Sequence, residues 1–260
     1  MVFRRFPQSL VNLLLNPLAH RGVKEMKCFV WDRVWQGNVF AQPAIRRARA
    51  EMKINCLKEN LGFEANPGDW ILDAGCGSGE VSLRLWHLYG EATHIVSIDK
   101  SAIALSRLAR LADGLNLPLF IVRGDVTALP LADSSFDKIC AFGILEHIPD
   151  EQTFLTEMHR VLRSHGKIYL TQSNTRTTVY WARRIRQVIG RWPYGYQKNY
   201  TPHEFAALLQ RYFRLDGLTI LHTARDFSMH RVLDRVLSTF LAKWGRYLIA
   251  RCAKEDSDEV

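Results

Sequence analysis

Three glycines separated by single residues, Gly75, Gly77 and Gly79, follow the apolar run Trp70-Ile71-Leu72 and the acid Asp73. Glycine lets a backbone turn sharply and come close to a ligand with no Cβ in between. The next residues, Glu80-Val81-Ser82-Leu83, open a helix whose first N–H groups lack intrahelical partners. A strand, a glycine turn and a helix start make a cradle for a nucleotide-type ligand. The spacing is not that of the dinucleotide fingerprint G-x-G-x-x-G, because the third glycine comes one residue early and Glu80 stands where the last would be. A carboxylate there would face a pyrophosphate poorly.

Other candidate groups follow in order. Asp99 ends the apolar run His94-Ile95-Val96-Ser97-Ile98, where an acid at a strand's carboxyl end can accept from both hydroxyls of a ribose. A cap on the next helix is the competing role for Asp99, but Ser101 could cap that helix unaided. Gly124-Asp125-Val126 follows the run Leu119 to Val122, and Leu129-Pro130-Leu131 and Ser135-Phe136-Asp137 come after it. His147 follows a further apolar run, and imidazole is a side chain suited to proton transfer near neutral pH, so it is the first candidate base; holding the loop is its equal alternative. Tyr196, Tyr200 and His203 are weaker candidates, better suited to packing or capping.

The pattern acid-x-G-x-G-x-G after an apolar strand closely resembles motif I of the class I S-adenosylmethionine (SAM) dependent methyltransferases. The resemblance runs from about Ala44 to Ala253. The stretch from Gly124 to Cys140 is similar to a later signature of the family, and Leu145-Glu146-His147-Ile148-Pro149-Asp150 resembles the "LEH(I/V)PD" of ubiquinone, menaquinone and natural-product methyltransferases. The resemblance implies a SAM cofactor, leaving as S-adenosylhomocysteine, and no metal. It implies cofactor contacts at Asp73, Gly75, Cys76, Gly77, Gly79, Asp99, Lys100, Asp125, Val126 and Gly143, with Asp125 accepting from the adenine amino group and Val126 packing on the ring. Methyl transfer is implied to a small, lipophilic or aromatic acceptor, on oxygen first and on carbon second. The alternatives are an RNA or protein methyltransferase and a non-catalytic partner subunit.

These residues need an α/β scaffold to bring them together. The family implies a Rossmann-like, seven-stranded sheet of order 3-2-1-4-5-7-6 with helices on both faces and strand seven antiparallel. Strands are predicted at Trp70–Leu72, His94–Asp99, Leu119–Val122, Lys138–Phe142, Lys167–Gln172, Leu215–Leu221 and Tyr247–Ala253, with a turn at Arg163–Gly166. Residues 1–43 read as an N-terminal helical cap or anchor. Residues 44–253 form the domain, and in the family the segment before motif I covers the SAM pocket. The insert 173–201 holds Tyr180, Trp181, Trp192, Tyr194, Tyr196 and Tyr200 at the position of the family's substrate lid. Thr201-Pro202 opens the helix after it. Apolar residues from Val232 to Trp244 at helical spacing predict an extra amphipathic helix over about 228–244, with core packing as its first role. The acidic tail, 254–260, reads as disordered.

Composition bounds the partners. The chain has 260 residues, 47% of them hydrophobic, enough for one sizeable core, and a formal net charge of +9. Between Met158 and His203 there is no Asp or Glu, while nine Arg and Lys residues fall there. Such a stretch favours anionic partners: a lipid-linked or anionic small substrate, or weak contact with a membrane surface through the N-terminal segment or the insert. Nucleic acid is disfavoured, because the (N/D/S)PP(Y/F) tetrad of base-amine methyltransferases is replaced by Leu145-Glu146-His147-Ile148. The five cysteines are scattered without metal-ligand spacing. With no run of membrane-spanning length, the reading is a cytoplasmic protein, peripheral at most on the inner face of a membrane. The oligomeric state is not encoded legibly.

Overall fold

The structure, a computed structural model, describes residues 29–37, 43–222, 229–241 and 243–255. The expectations for residues 1–28 and for 256–260 lie outside them. The elements run α1 (Phe29–Gln36), α2 (Pro43–Leu61), β1 (Trp70–Ala74), α3 (Glu80–Tyr89), β2 (His94–Asp99), α4 (Ala102–Gly114), β3 (Phe120–Arg123) and β4 (Phe136–Phe142). They continue with α5 (Glu151–Val161), β5 (Leu162–Ser173), α6 (Thr178–Val188), α7 (Pro202–Leu209), β6 (Arg214–Leu221), α8 (Met229–Phe240) and β7 (Tyr247–Ala253).

The strands form one sheet of order β3-β2-β1-β4-β5-β7-β6. β7 runs antiparallel to both β5 and β6, and the other pairings are parallel. Parallel strands covered on both faces read as continuous apolar runs, because alternate side chains enter different cores. In β1, Trp70, Leu72 and Ala74 join one core with Phe154, Leu155 and Met158 of α5 and Phe205 and Leu209 of α7. Ile71 joins the other, with Ile54 and Leu57 of α2, Leu85 of α3 and Leu105 and Leu108 of α4. Helices therefore cover both faces. The sequence orders β1, β2, β3 and β4 so that their carboxyl ends share one edge, where ligands of open α/β sheets bind.

Three local expectations are corrected. The turn at Arg163–Gly166 lies within β5, which starts at Leu162 opposite Phe136 and shifts register before Lys167 meets Lys138. His165 takes a φ of 59° inside that irregularity. The tail is not free from residue 254: the Lys254 N–H donates to the Gly166 carbonyl at 3.1 Å, and its Nζ donates to the carbonyls of His159 and Leu162. The extra helix exists as α8, but it is not a core element. Val232, Val236 and Phe240 are exposed, Phe240 by 80%. It is tethered instead through Asp234, whose carboxylate accepts from the Thr177 hydroxyl and the Thr178 N–H at the start of α6 (2.7 Å each) and from the Trp244 indole (2.8 Å).

The insert forms α6 and a return segment that an isolated bridge, Asn174 to Tyr200, ties to the end of β5. α7 begins as its sequence dictates. Pro202 occupies the first turn, the Thr201 hydroxyl accepts from the Glu204 N–H, and the Glu204 carboxylate accepts from the Thr201 N–H.

Candidate active site

The glycine turn is built by β1 and β2 together. The N–H groups of Gly75 and Cys76 both donate to the Ile98 carbonyl at 2.9 Å. Gly75, Gly77 and Gly79 all take positive φ (71°, 55° and 81°), where a side chain is strained. Under the turn, the buried Asp73 accepts from the Ser82 N–H (3.0 Å) and hydroxyl (2.6 Å), and Ser82 in turn meets the Ser97 hydroxyl at 2.7 Å. Asp73 therefore clamps β1 to α3. Burial raises its carboxyl to about 7 against the pull of the Ser82 bonds. Glu80, the residue out of place for a dinucleotide, turns its carboxylate onto Arg46 of α2 (2.6 Å) and the Ser78 hydroxyl (2.7 Å).

Asp99 reaches the turn from the end of β2. One oxygen accepts from the Gly77 N–H and the other from the Ser101 N–H, each at 2.8 Å. Ser101 also caps α4, its hydroxyl accepting from the Ala104 N–H. Burial raises the Asp99 carboxyl above its usual value, opposed by these backbone bonds. At the end of β3, Asp125 accepts from Lys100 Nζ at 2.5 Å and from the Thr127 hydroxyl at 2.8 Å. Burial works to raise that carboxyl, but the bonds from Lys100 and Thr127 outweigh it and hold it below its ordinary value. Val126 is buried behind it, and the Cys76 thiol is buried with its pKa pushed well up, which leaves it an inert packing group.

α1 covers this turn. A Cβ on Gly77 would come 2.7 Å from the Trp35 ring, and the Ser101 hydroxyl donates to Asp32 at 2.6 Å. The guanidinium groups of Arg46 and Arg107 lie over the Trp35 ring at 5.7 and 5.9 Å. Phe40 lies outside the described residues.

The loop after β4 forms the other wall. Gly143 leaves the strand with a φ of 71°, and the Ile144 side chain fills the space where a Gly75 Cβ would point. Glu146 is buried and holds several elements together: its carboxylate accepts from the Ser173 N–H at the end of β5 (2.9 Å) and from Gln197 (3.3 Å), and its carbonyl accepts from the Lys198 N–H. Burial alone would raise this carboxyl, yet the bonds and charge of His147 and the bonds of Ser173 hold it down at about 2.

His147 Nδ1 lies 3.0 Å from the Tyr196 carbonyl oxygen, which can only accept, so that nitrogen carries hydrogen. Its Nε2 lies 3.5 Å from Glu146, and the Trp31 ring meets the imidazole edge-on at 4.6 Å. Nδ1 is thus engaged, and Nε2 stands beside a carboxylate. The geometry lets His147 latch together α1, the loop and the insert. Tyr196 contributes its backbone to that latch, Tyr200 is buried in the core, and His203 lies exposed in α7.

Sequence reasoning passed over Glu146, Lys53 and Tyr247. Lys53 of α2 stands 4.8 Å from the centroid of the Tyr247 ring at the start of β7, beside Phe142 and Gly143. No local pattern marks Lys53 or Tyr247, and the motif around Glu146 does not tell which elements it ties; the sheet topology brings them together.

The residues fit a nucleoside cofactor with an amino-acid tail. The glycine turn has no Cβ to obstruct approach, and carboxylates stand at the ends of β2 and β3. Residues 72–170 match the family described as a methyltransferase domain. With the sheet order, that match likens this part of the chain to class I SAM-dependent methyltransferase domains. It is 31% identical over 113 residues to a demethylmenaquinone methyltransferase of Oceanobacillus iheyensis, covering 43% of this chain and 48% of that protein. It is 26% identical over 164 residues to a ubiquinone biosynthesis O-methyltransferase of Pseudomonas paraeruginosa, covering 60% of this chain and 67% of that protein. The chain thus spans about half the length of the demethylmenaquinone relative. A chain from the complex between the Haloferax volcanii Trm112 methyltransferase activator and a putative methyltransferase superposes with a TM-score of 0.68, covering 87% of this chain and 98% of that one. At 15% identity that likeness speaks for the methyltransferase fold alone. Among the described residues, no helix is long and apolar enough to cross a membrane, and no group of three or more His, Cys, Asp or Glu could hold a metal ion.

Proposed function

We propose that the protein transfers the methyl group of SAM to a small, lipophilic or aromatic acceptor, on oxygen first and on carbon second. The observation that carries this reading is the convergence of the Gly75–Gly79 turn, Asp99 and Asp125 on one sheet edge, where α1 packs on the turn and the insert is tied to the end of β5. The similarity to demethylmenaquinone and ubiquinone biosynthesis methyltransferases supports a quinone-like acceptor.

Bound SAM supplies an electrophilic methyl group on a sulfonium for in-line attack by a nucleophile. What remains for the chain is alignment and exclusion of water, and alignment alone contributes up to roughly 7 to 11 kcal/mol. Asp99 and Asp125 would hold the ribose and the adenine, and the Trp35 ring would cover the turn. The Glu146 bonds to Ser173 and Gln197, together with the His147 latch, fix the lid over the cleft. No proton acceptor is assigned to His147 in this reading.

Contact with an anionic membrane surface belongs to the same reading. Trp181, Ile185 and Val188 of α6 and Val232, Val236 and Phe240 of α8 are exposed, with Arg184, Arg186 and Arg191 beside them. Apolar side chains flanked by cations suit an interface of acyl chains and anionic headgroups. A lipophilic acceptor would enter from that side.

The test is SAM carrying a labelled methyl group, incubated with the purified protein and a cell lysate that is then divided into lipids, small solutes, protein and nucleic acid. Label is expected in the lipid or small-solute fraction and absent with Asp99→Ala. Label in RNA or protein would replace this reading with macromolecular methylation. Tight binding of SAM without label in any fraction would favour a non-catalytic subunit.

A further inference from the structure

Lys53 directs its ammonium at the same sheet edge, beside Gly143 and away from the Gly75–Gly79 turn, Asp99 and Asp125. Its Nζ would lie 3.7 Å from a Cβ placed on Gly143, and it lies 5.9 Å from the Phe142 ring centroid and 4.8 Å from that of Tyr247. Because β7 runs antiparallel, its first residue, Tyr247, stands opposite Ser173 at the end of β5, at the ligand edge. The Arg246 guanidinium lies 5.4 Å from the same tyrosine ring. Arg49 is one helical turn before Lys53 on the same face of α2, and its charge acts on both Lys53 and Tyr247.

Lys53 itself has no counter-ion among the described residues. Glu146 is the acid whose field reaches Lys53, but its carboxylate is engaged with Ser173, Gln197 and His147. Among the described residues Lys53 has no ion pair and no hydrogen bond, only the two aromatic faces. An ammonium crowded by protein without a counter-ion is costly, and burial lowers its pKa against the opposing pull of Tyr247 and Glu146. Tyr247 responds in the complementary sense: burial would raise its phenol, yet Arg246, Lys53 and Arg49 outweigh it and hold it below its usual value. The Lys53 ammonium without a counter-ion, against the Phe142 and Tyr247 rings, describes half of an ion pair.

We propose that Lys53, flanked by Arg49 and Arg246, forms an anion subsite in the acceptor cleft and takes an acidic oxygen of the methyl acceptor, a carboxylate or an ionised phenol. The inference rests on the methyltransferase reading and narrows its acceptor to aromatic acids and acidic phenols. The site is close to the cofactor turn: Gly143, beside Lys53, precedes the Ile144 that walls Gly75. A phenol held there ionises at a lower pH, because the cations favour its charged form. That removes the need for a histidine base, in keeping with the engagement of His147 Nδ1. The same chemistry would also suit the amino-acid carboxylate of the cofactor, and the experiment separates the two sources.

Naphthoate and its neutral amide are titrated against full-length protein saturated with S-adenosylhomocysteine, for the wild type, Lys53→Met and Lys53→Arg. The wild type should prefer the acid by about tenfold, as expected for a charge-assisted contact. Lys53→Met should abolish the preference and Lys53→Arg retain it, with S-adenosylhomocysteine affinity equal in all three. Absence of preference in the wild type, including no binding of either probe, would overturn the proposal, as would a preference that survives Lys53→Met. Weakened S-adenosylhomocysteine binding in Lys53→Met would also overturn it, by assigning the lysine to the cofactor. Failure of the wild type to bind S-adenosylhomocysteine would sink the methyltransferase reading itself, a result read separately from the probes.

Discussion

Asp73 shows how one residue can shape the glycine turn from beneath it. Its buried carboxylate receives both donors of Ser82, so it sets the angle at which α3 leaves the glycine turn. Its pKa rises from 3.8 to about 7 in the fold, so the native state holds this proton more tightly than the unfolded chain does. Its contribution to stability is then fully present below the unfolded value and is lost as pH rises through the folded one. Asp73→Asn keeps an acceptor for the Ser82 N–H and removes the titration. Denaturant midpoints taken from about pH 4 to pH 7 should fall less steeply with rising pH in this variant than in the wild type. Parallel profiles would show that Asp73 does not carry that dependence.

At the scale of elements, α1 is held by its contact with a glycine. Ala at position 77 would be strained at a φ of 55° and would also press its Cβ on the Trp35 ring. Gly77→Ala should cost about 1 to 2 kcal/mol from the backbone alone, with a further loss from displacing α1. In a double-mutant cycle with Trp35→Ala, the two changes should therefore be less than additive. Additive losses would mean that α1 does not press on the turn in solution. The glycine turn, the acids that end β2 and β3, and the cap of α7 were all legible in the sequence, because each is a local pattern with a local cause. α1 over the turn, the Glu146 ties and the Lys53 niche were not, since residues far apart in the chain meet only through topology. α8 was misread for a different reason: amphipathic spacing is the same whether the apolar stripe meets the chain's own core or is left for another surface.

For the whole molecule, the net charge of +9 and the exposed stripe of α6 and α8 act together. Attraction to an anionic bilayer weakens as salt screens it, while the apolar contact persists only if side chains enter the interface. Sedimentation with anionic vesicles should carry down part of the protein at low salt and less at high salt, and neutral vesicles should carry down little. Val236→Asp with Phe240→Ser should reduce the bound fraction at low salt. Full recovery of the wild type in the supernatant at low salt would remove the membrane from the account.

The place of β7 also governs how the molecule is made. It is the last of the described strands, yet it lies inside the sheet, with β5 on one side and β6 on the other. During synthesis β5 and β6 emerge first and have no edge in common, so each waits with an open row of backbone donors and acceptors. Only when Tyr247–Ala253 clears the ribosome can the two be joined. A ribosome that stalls before that point holds a nascent chain with two unfinished edges, a natural target for chaperones and for proteolysis.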